Sequence, residues 1–286
     1  MSKEKIQKTD ESQNALTESN PSLITIIETA IKIPGVRVSR HDFLYAQFKN
    51  LPEELLVQIL ENGPVSAGIS QDELHKKAKK LINDRTLFST TASFLSGLPG
   101  GIAMAATIPA DMAQYYGVAL RLAQELAYLY GEPDFWIEDG LDESKIKNQL
   151  ILYCGVMLGV SGAAQAVRVL AAALGKQVMK KLPQKALTKT FIYPIVKSIV
   201  KAFGGKMTKT VFANGVSKAV PIIGGVVSGG LTFISMRPMG TRLMDALRKA
   251  NFDYTEEDLQ NDIQYIKKEQ EKVQSEENAE NETCST

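Results

Sequence analysis

From Pro109 onward the apolar residues Met112, Tyr115, Tyr116, Ala119, Leu122, Ala123, Leu126, Leu129 and Tyr130 recur in steps of three and four. That spacing gathers them on one face of an α-helix, and a stripe of this length has to be covered by other helices. Thr107 is the expected N-cap, and Pro109 falls in the first turn, where a missing N–H costs nothing. Gly131 followed by Pro133 is the stop signal: a residue free to adopt the left-handed conformation, then one that cannot continue a helix. The opposite face carries Asp111, Gln114, Arg121 and Glu125, interrupted by Val118. One interpretation makes this a solvated face, with Arg121 and Glu125 an i, i+4 pair worth about 0.2–0.5 kcal/mol. The other makes the four residues the lining of a ligand pocket, because Asp111 is the first charge after 25 uncharged positions that begin at Thr86. The solvated face is the more common situation and is favoured.

Two further uncharged runs constrain the architecture. Residues 148–167 lie between Lys147 and Arg168 and contain Gly155 and Gly159; residues 219–236 lie between Lys218 and Arg237 and contain Gly225 and Gly229. Such lengths approach the ~20 apolar residues that cross a bilayer. Residues 86–110, however, are broken by Pro99, Gly100 and Gly101, and residues 148–167 include Asn148, Gln149 and Gln165. Core helices whose glycines admit a close neighbour are therefore expected, and an integral membrane protein with two or three inserted Gly-containing helices is the alternative. The predicted fold class is all-α, a single compact multi-helix domain with Gly-rich apolar core helices. It comprises a helical segment over 21–70, a core over 71–250 and a C-terminal helix over 251–275, between disordered polar tails at 1–20 and 276–286. Within this frame Leu23 to Ile33 reads as a short helix ended by Pro34. Capping boxes are expected at Asn50–Glu53 and Ser70–Glu73, one helix starting at about Glu143 is expected to contain Asn148 to Val167, and Thr255 is the expected cap of the last helix.

Charge is distributed unevenly. The chain has a net charge of +1, yet from Ser144 to Met244 it contains no Asp or Glu against fifteen Lys and Arg. An asymmetry of this kind calls for an anionic partner or for neutralisation by the acidic remainder. In the middle of the block, Lys176, Lys180, Lys185, Lys189, Lys197, Lys201, Lys206 and Lys209 alternate with aliphatic residues such as Val178, Leu182, Ile195, Val196 and Ile199. Pro183, Pro194 and Gly204-Gly205 divide the stretch into short basic amphipathic helices. That composition suits an anionic membrane surface, where each basic residue contributes about 1 kcal/mol.

The runs LPGGIAMAATIPAD and LAYLYGEPD, the Arg121–Glu125 segment between them, and the later KAVPIIGGVVSGG resemble the EcsC family of bacterial proteins, named from a gene cluster that encodes an ABC exporter. The likeness extends from about His75 to about Ala250 and rests on the placement of glycine, proline and apolar residues. What the resemblance implies is a mostly helical bacterial intracellular protein connected with a membrane transporter; it brings no reaction and no catalytic residue.

Gly204-Gly205-Lys206-Met207-Thr208 lacks the first glycine of a phosphate loop and has Met207 where the hydroxyl is required. Gly159-Val160-Ser161-Gly162-Ala163 resembles a nucleophile elbow without its last glycine, and no histidine follows it to serve as base. His41 and His75 are the only histidines, and His75 reads as a surface residue beside lysines, so no metal site is expected; the acidic stretch Asp134 to Glu143 matches no calcium loop and reads as solvated. Cys154 and Cys284 exclude a disulfide framework and suit a reducing compartment, with Cys154 read as a buried apolar residue. The polar N-terminal stretch has no apolar h-region, which places the chain in the cytoplasm. Few aromatics and only three arginines accompany the lysines of the basic block, which disfavours nucleic acid. The expectation is a non-enzymatic peripheral protein at the inner membrane face without cofactor, accessory to an ABC transporter. A helical enzyme or apolar-ligand carrier with a pocket at Asp111 and Arg121 is a further alternative.

Overall fold

The computed structural model describes residues 23–88, 110–136, 143–174, 193–204 and 228–283. They form α1 (Leu23–Ala30), α2 (Arg40–Phe48), α3 (Glu53–Asn62), α4 (Gln71–Phe88), α5 (Ala110–Leu129), α6 (Glu143–Leu158), α7 (Ala163–Leu174), α8 (Tyr193–Gly204), α9 (Ser228–Phe252) and α10 (Glu256–Thr283). No strand occurs among the described residues, so the all-α expectation holds.

Helix α5 lies at the centre. From Tyr115 to Tyr130 every residue except Arg121 is buried, which is the pattern of a helix enclosed on all sides rather than of an amphipathic surface helix. Helices α1, α2, α4, α6 and α9 all pack against it. It ends as its sequence dictates. Gly131 adopts φ 94°, its N–H donates to Tyr128 O at 3.1 Å, and the Glu132 N–H donates to Ala127 O at 3.0 Å, the paired bonds of a Schellman motif. The start signals at Thr107 and Pro109 lie outside the described residues.

Helix α4 is capped by Ser70, whose Oγ accepts the Glu73 N–H at 3.3 Å, and it buries Leu74, Ala78, Leu81 and Ile82 as its spacing predicts. In α10 the box is reciprocal: Thr255 Oγ1 accepts the Asp258 N–H and Asp258 Oδ2 accepts the Thr255 N–H, both at 3.1 Å. This helix runs on to Thr283, past residue 275. The tail over 1–20 lies outside the described residues.

Four expectations are corrected. Helix α3 starts after Pro52 with no side-chain cap, so Asn50 and Glu53 do not form a capping box. Helix α1 stops at Ala30, ahead of Ile33. His75 is half-buried, and its Nδ1 is shut off from solvent with no hydrogen-bond partner, unlike a surface histidine. Most consequentially, the helix expected to start near Glu143 and contain Asn148 to Val167 is two helices. Gly159 and Gly162 adopt φ 77° and 79°, the Val160 N–H closes α6 on Gly155 O at 2.8 Å, and the chain turns before α7. Uncharged residues 148–167 therefore do not form one continuous helix. No helix among the described residues is long and apolar enough to cross a membrane. The two glycines of this run also have different tasks. Gly155 is the place of close approach, since a methyl group there would collide with Ile199 of α8, whereas Gly159 serves the turn. Most of 86–110 and the first part of 219–236 lie outside the described residues.

Candidate functional site

The polar residues of α5 are drawn inward. Glu125 is fully buried, and Arg121 Nε donates to its Oε1 at 3.0 Å. From α4, Arg85 Nε donates to Glu125 Oε2 at 2.6 Å and Arg85 Nη2 donates to Oε1. Arg121 Nη1 donates to the Gly35 carbonyl. The solvated-face interpretation of Glu125 is thereby overturned, because the carboxylate is an interlock that joins α4, α5 and the segment after α1. Asp111 and Gln114 belong to the first turns of α5, and their side chains lie outside the described residues. Gln124, one position earlier and equally buried, completes the interlock: its Oε1 accepts the Val38 N–H at 3.1 Å and Trp136 Nε1 at 2.8 Å, and its Nε2 donates to Val36 O at 2.9 Å. Asp134, read in sequence as part of a solvated acidic loop, accepts the Arg40 N–H at 3.1 Å and the Trp136 N–H at 2.8 Å.

Of the membrane-surface lysines, Lys176, Lys180, Lys185, Lys189, Lys206 and Lys209 lie outside the described residues, as does the side chain of Lys201 in α8. Lys197 is exposed on α8, while Ile195, Val196 and Ile199 are buried on the same helix. Elsewhere in the acid-free block, cations do meet acids of the flanking regions. Lys147 Nζ donates to Glu28 Oε1 at 2.9 Å, and Arg168 forms a two-pronged pair with Asp262 of α10 at 2.8 and 2.7 Å. Tyr254 Oη also donates to Asp262, at 2.9 Å, and burial with the neighbouring carboxylate raises its own pKa.

Beside that pair opens the candidate site, a groove of about 620 Å³ between the α6–α7 turn, α9 and α10. Its floor is the Gly159–Gly162 turn, which only glycines at positive φ allow to be this short. Ser161 Oγ and Tyr265 Oη share a hydrogen bond of 2.8 Å at its edge. Arg168, Arg242, Asp245, Arg248 and Lys249 supply its charge. Arg248 is paired with Asp253 at 3.0 Å and Lys249 with Asp258 at 2.7 Å. The hydrogen bond from Lys249, together with those from Thr255, pulls the Asp258 pKa down to about 2. Arg242 Nη1 donates to Met157 O at 2.8 Å, capping α6.

No grouping of metal-ligating side chains occurs among the described residues. Ser161 has no histidine beside it, and its hydroxyl partner is a tyrosine. The arrangement suits recognition of a charged group. Sequence reasoning passed over Arg242, Asp245 and Tyr265, although the pair of glycines flanking Val160-Ser161 was a signal that the apolar run turns there. Comparison with protein-family models, with curated proteins and with solved structures gave no match.

Proposed function

We propose that the protein is a non-enzymatic binding protein that works peripherally at an anionic face of the cell membrane, the cytoplasmic one, as an accessory to an ABC transporter of the kind the EcsC resemblance implies. The observation that carries this is the block from Ser144 to Met244, with fifteen basic and no acidic residues. Helix α8 supports it, since it buries Ile195, Val196 and Ile199 and leaves Lys197 exposed. A binding role is also favoured by the way the buried acids Glu125 and Asp262 are engaged by arginines rather than held ready for proton transfer.

Cosedimentation with vesicles tests the proposal. At low salt the protein pellets with phosphatidylglycerol vesicles and stays in the supernatant with phosphatidylcholine vesicles, and the double variant Lys197→Glu, Lys201→Glu weakens pelleting. Equal pelleting with both lipids overturns the proposal. Alkaline carbonate releases a peripheral protein from native membranes, and retention in the pellet would favour the inserted alternative.

A further inference from the structure

The groove at the α6–α7 turn has an unusual charge inventory. Three of its four cations already have an acid outside the groove wall: Arg168 has Asp262, Arg248 has Asp253 and Lys249 has Asp258. What remains is one charge of each sign, Arg242 and Asp245, one turn apart on α9 and both lining the groove. Neither has an ion-pair partner among the described residues, and they do not pair with each other. Arg242 uses one donor on the Met157 carbonyl, and its guanidinium carbon lies over Gly159, 3.7 Å from where a Cβ would stand. A Cβ at Gly159 would touch the guanidinium at ordinary van der Waals distance; the positive φ of 77° is what favours glycine there. Asp245 is exposed and makes no hydrogen bond among the described residues.

A simple anion would answer Arg242 and be repelled by Asp245; a simple cation would meet the reverse. The ligand that satisfies both carries an acid anion and an ammonium group a few ångströms apart, matching residues whose Cβ atoms sit roughly 5–6 Å apart at i, i+3. Ala164 and Gln165, in the first turn of α7, also line the groove, and first-turn amides have no acceptor within their own helix. The Ala163 and Ala166 N–H groups are taken by Val160 O and Gly162 O, which leaves those of Ala164 and Gln165, and two amides at the same turn as a guanidinium favour an anion with three oxygens over a carboxylate. We propose that this groove binds a phosphate–ammonium zwitterion, with the phosphate on Arg242 and the α7 first turn and the ammonium on Asp245. Phosphoethanolamine, free or as a lipid headgroup, has that chemistry. The site stands independently of the anionic-surface proposal and goes beyond it.

The test is an NMR titration of the full chain with phosphoethanolamine, inorganic phosphate and ethanolamine as separate probes. Phosphoethanolamine gives saturable shifts at Gly159, Ser161 and Gly162, with a Kd roughly tenfold or more below that of either half, since one charge-assisted hydrogen bond is worth at least about one decade of affinity. Arg242→Gln weakens phosphoethanolamine and phosphate alike. Asp245→Asn removes the advantage of phosphoethanolamine over phosphate and leaves phosphate bound as tightly as before or more so, because the repelling carboxylate is gone. Because Asp245 is exposed and unbonded, that variant keeps the fold, and its thermal melt verifies this. Equal wild-type affinity for phosphoethanolamine and phosphate, an unchanged preference in Asp245→Asn, or no saturation overturns the proposal. Phosphatidylcholine vesicles with added phosphatidylethanolamine then identify the source. Arg242-dependent pelleting at high salt points to the headgroup, and binding of the soluble probe without pelleting points to the free compound. Pelleting with phosphatidylglycerol persists in both variants, so its failure would sink the anionic-surface proposal and leave this one standing.

Discussion

Two regions of this protein place a guanidinium and a carboxylate one helical turn apart, and the outcome differs. On α5, Arg121 and Glu125 contact each other at 3.0 Å, Arg85 takes both carboxylate oxygens, and the Gly35 carbonyl takes a further Arg121 donor. On α9, Arg242 and Asp245 face the same groove without touching. The difference lies in what packs over them. Helix α4 and the segment after α1 close on the first pair, whereas a turn of two glycines leaves space over the second. A charge pair is structural when neighbouring elements exhaust its donors and acceptors, and receptive when they do not.

The sharpest way to break this comparison is to remove the carboxylate of the closed pair. Glu125→Ala leaves two arginines, 23% and 30% exposed, without the buried carboxylate between them, and taking one partner from a buried pair costs up to about 3–5 kcal/mol. Urea denaturation reads the loss, and a cost below about 1 kcal/mol would mean the cluster is not the interlock described here. Next in size is Glu132, which is 5% exposed and accepts a hydrogen bond from Gln149 Nε2 at 3.2 Å. Arg40 reaches only its backbone oxygen, at 3.1 Å. Burial pushes the Glu132 carboxyl up from 4.5 to about 7. The folded state therefore holds a proton that the unfolded chain releases. Its stability contribution is complete below pH ~4.5 and is lost as pH rises to ~7, on the order of 3 kcal/mol in all. Glu132→Gln is expected to flatten that part of the stability curve and to be more stable than the parent at pH 8. A parallel slope in both proteins would show that Glu132 is not the group responsible.

Smaller again is the Arg168–Asp262 pair, whose side chains are 17% and 11% exposed. Asp262→Asn weakens two charge-assisted bonds while keeping the shape, at a cost of roughly 1.5–3 kcal/mol. Because α10 packs on α7 and α8, the loss is expected first as faster amide exchange in α10, ahead of α5. Uniform exchange along the chain would contradict that order.

How much of this was legible in the sequence follows the range of the interactions involved. The α5 stripe, its Gly131 stop and the Ser70 and Thr255 caps depend on residues within a few positions, and sequence spacing carries them. The break at Gly159–Gly162 was local too, but an apolar run hides a turn when both flanking segments are buried, as α6 and α7 are. Glu125 was misjudged because its second arginine comes from position 85 and its enclosure from residues 35–38, and no pattern on α5 announces either. The groove was invisible for the same reason: Arg168, Arg242 and Tyr265 belong to three helices, and only packing brings them together.

The smallest effect tests the comparison from its open side. Asp245 makes no bond among the described residues, so Asp245→Asn is expected to change stability by no more than about 0.5 kcal/mol. Arg242→Gln removes the cap on Met157 O and is expected to cost about 1 kcal/mol. The physical content is the ratio between the two regions. Replacing the α5 carboxylate should cost several times what replacing the α9 carboxylate costs, although both stand one turn from an arginine on a helix of the same body. Urea midpoints for Glu125→Ala and Asp245→Asn in the same buffer measure that ratio. Equal losses would mean that Asp245 is held by the fold as Glu125 is, and that the groove is a closed part of the structure rather than a place for a ligand.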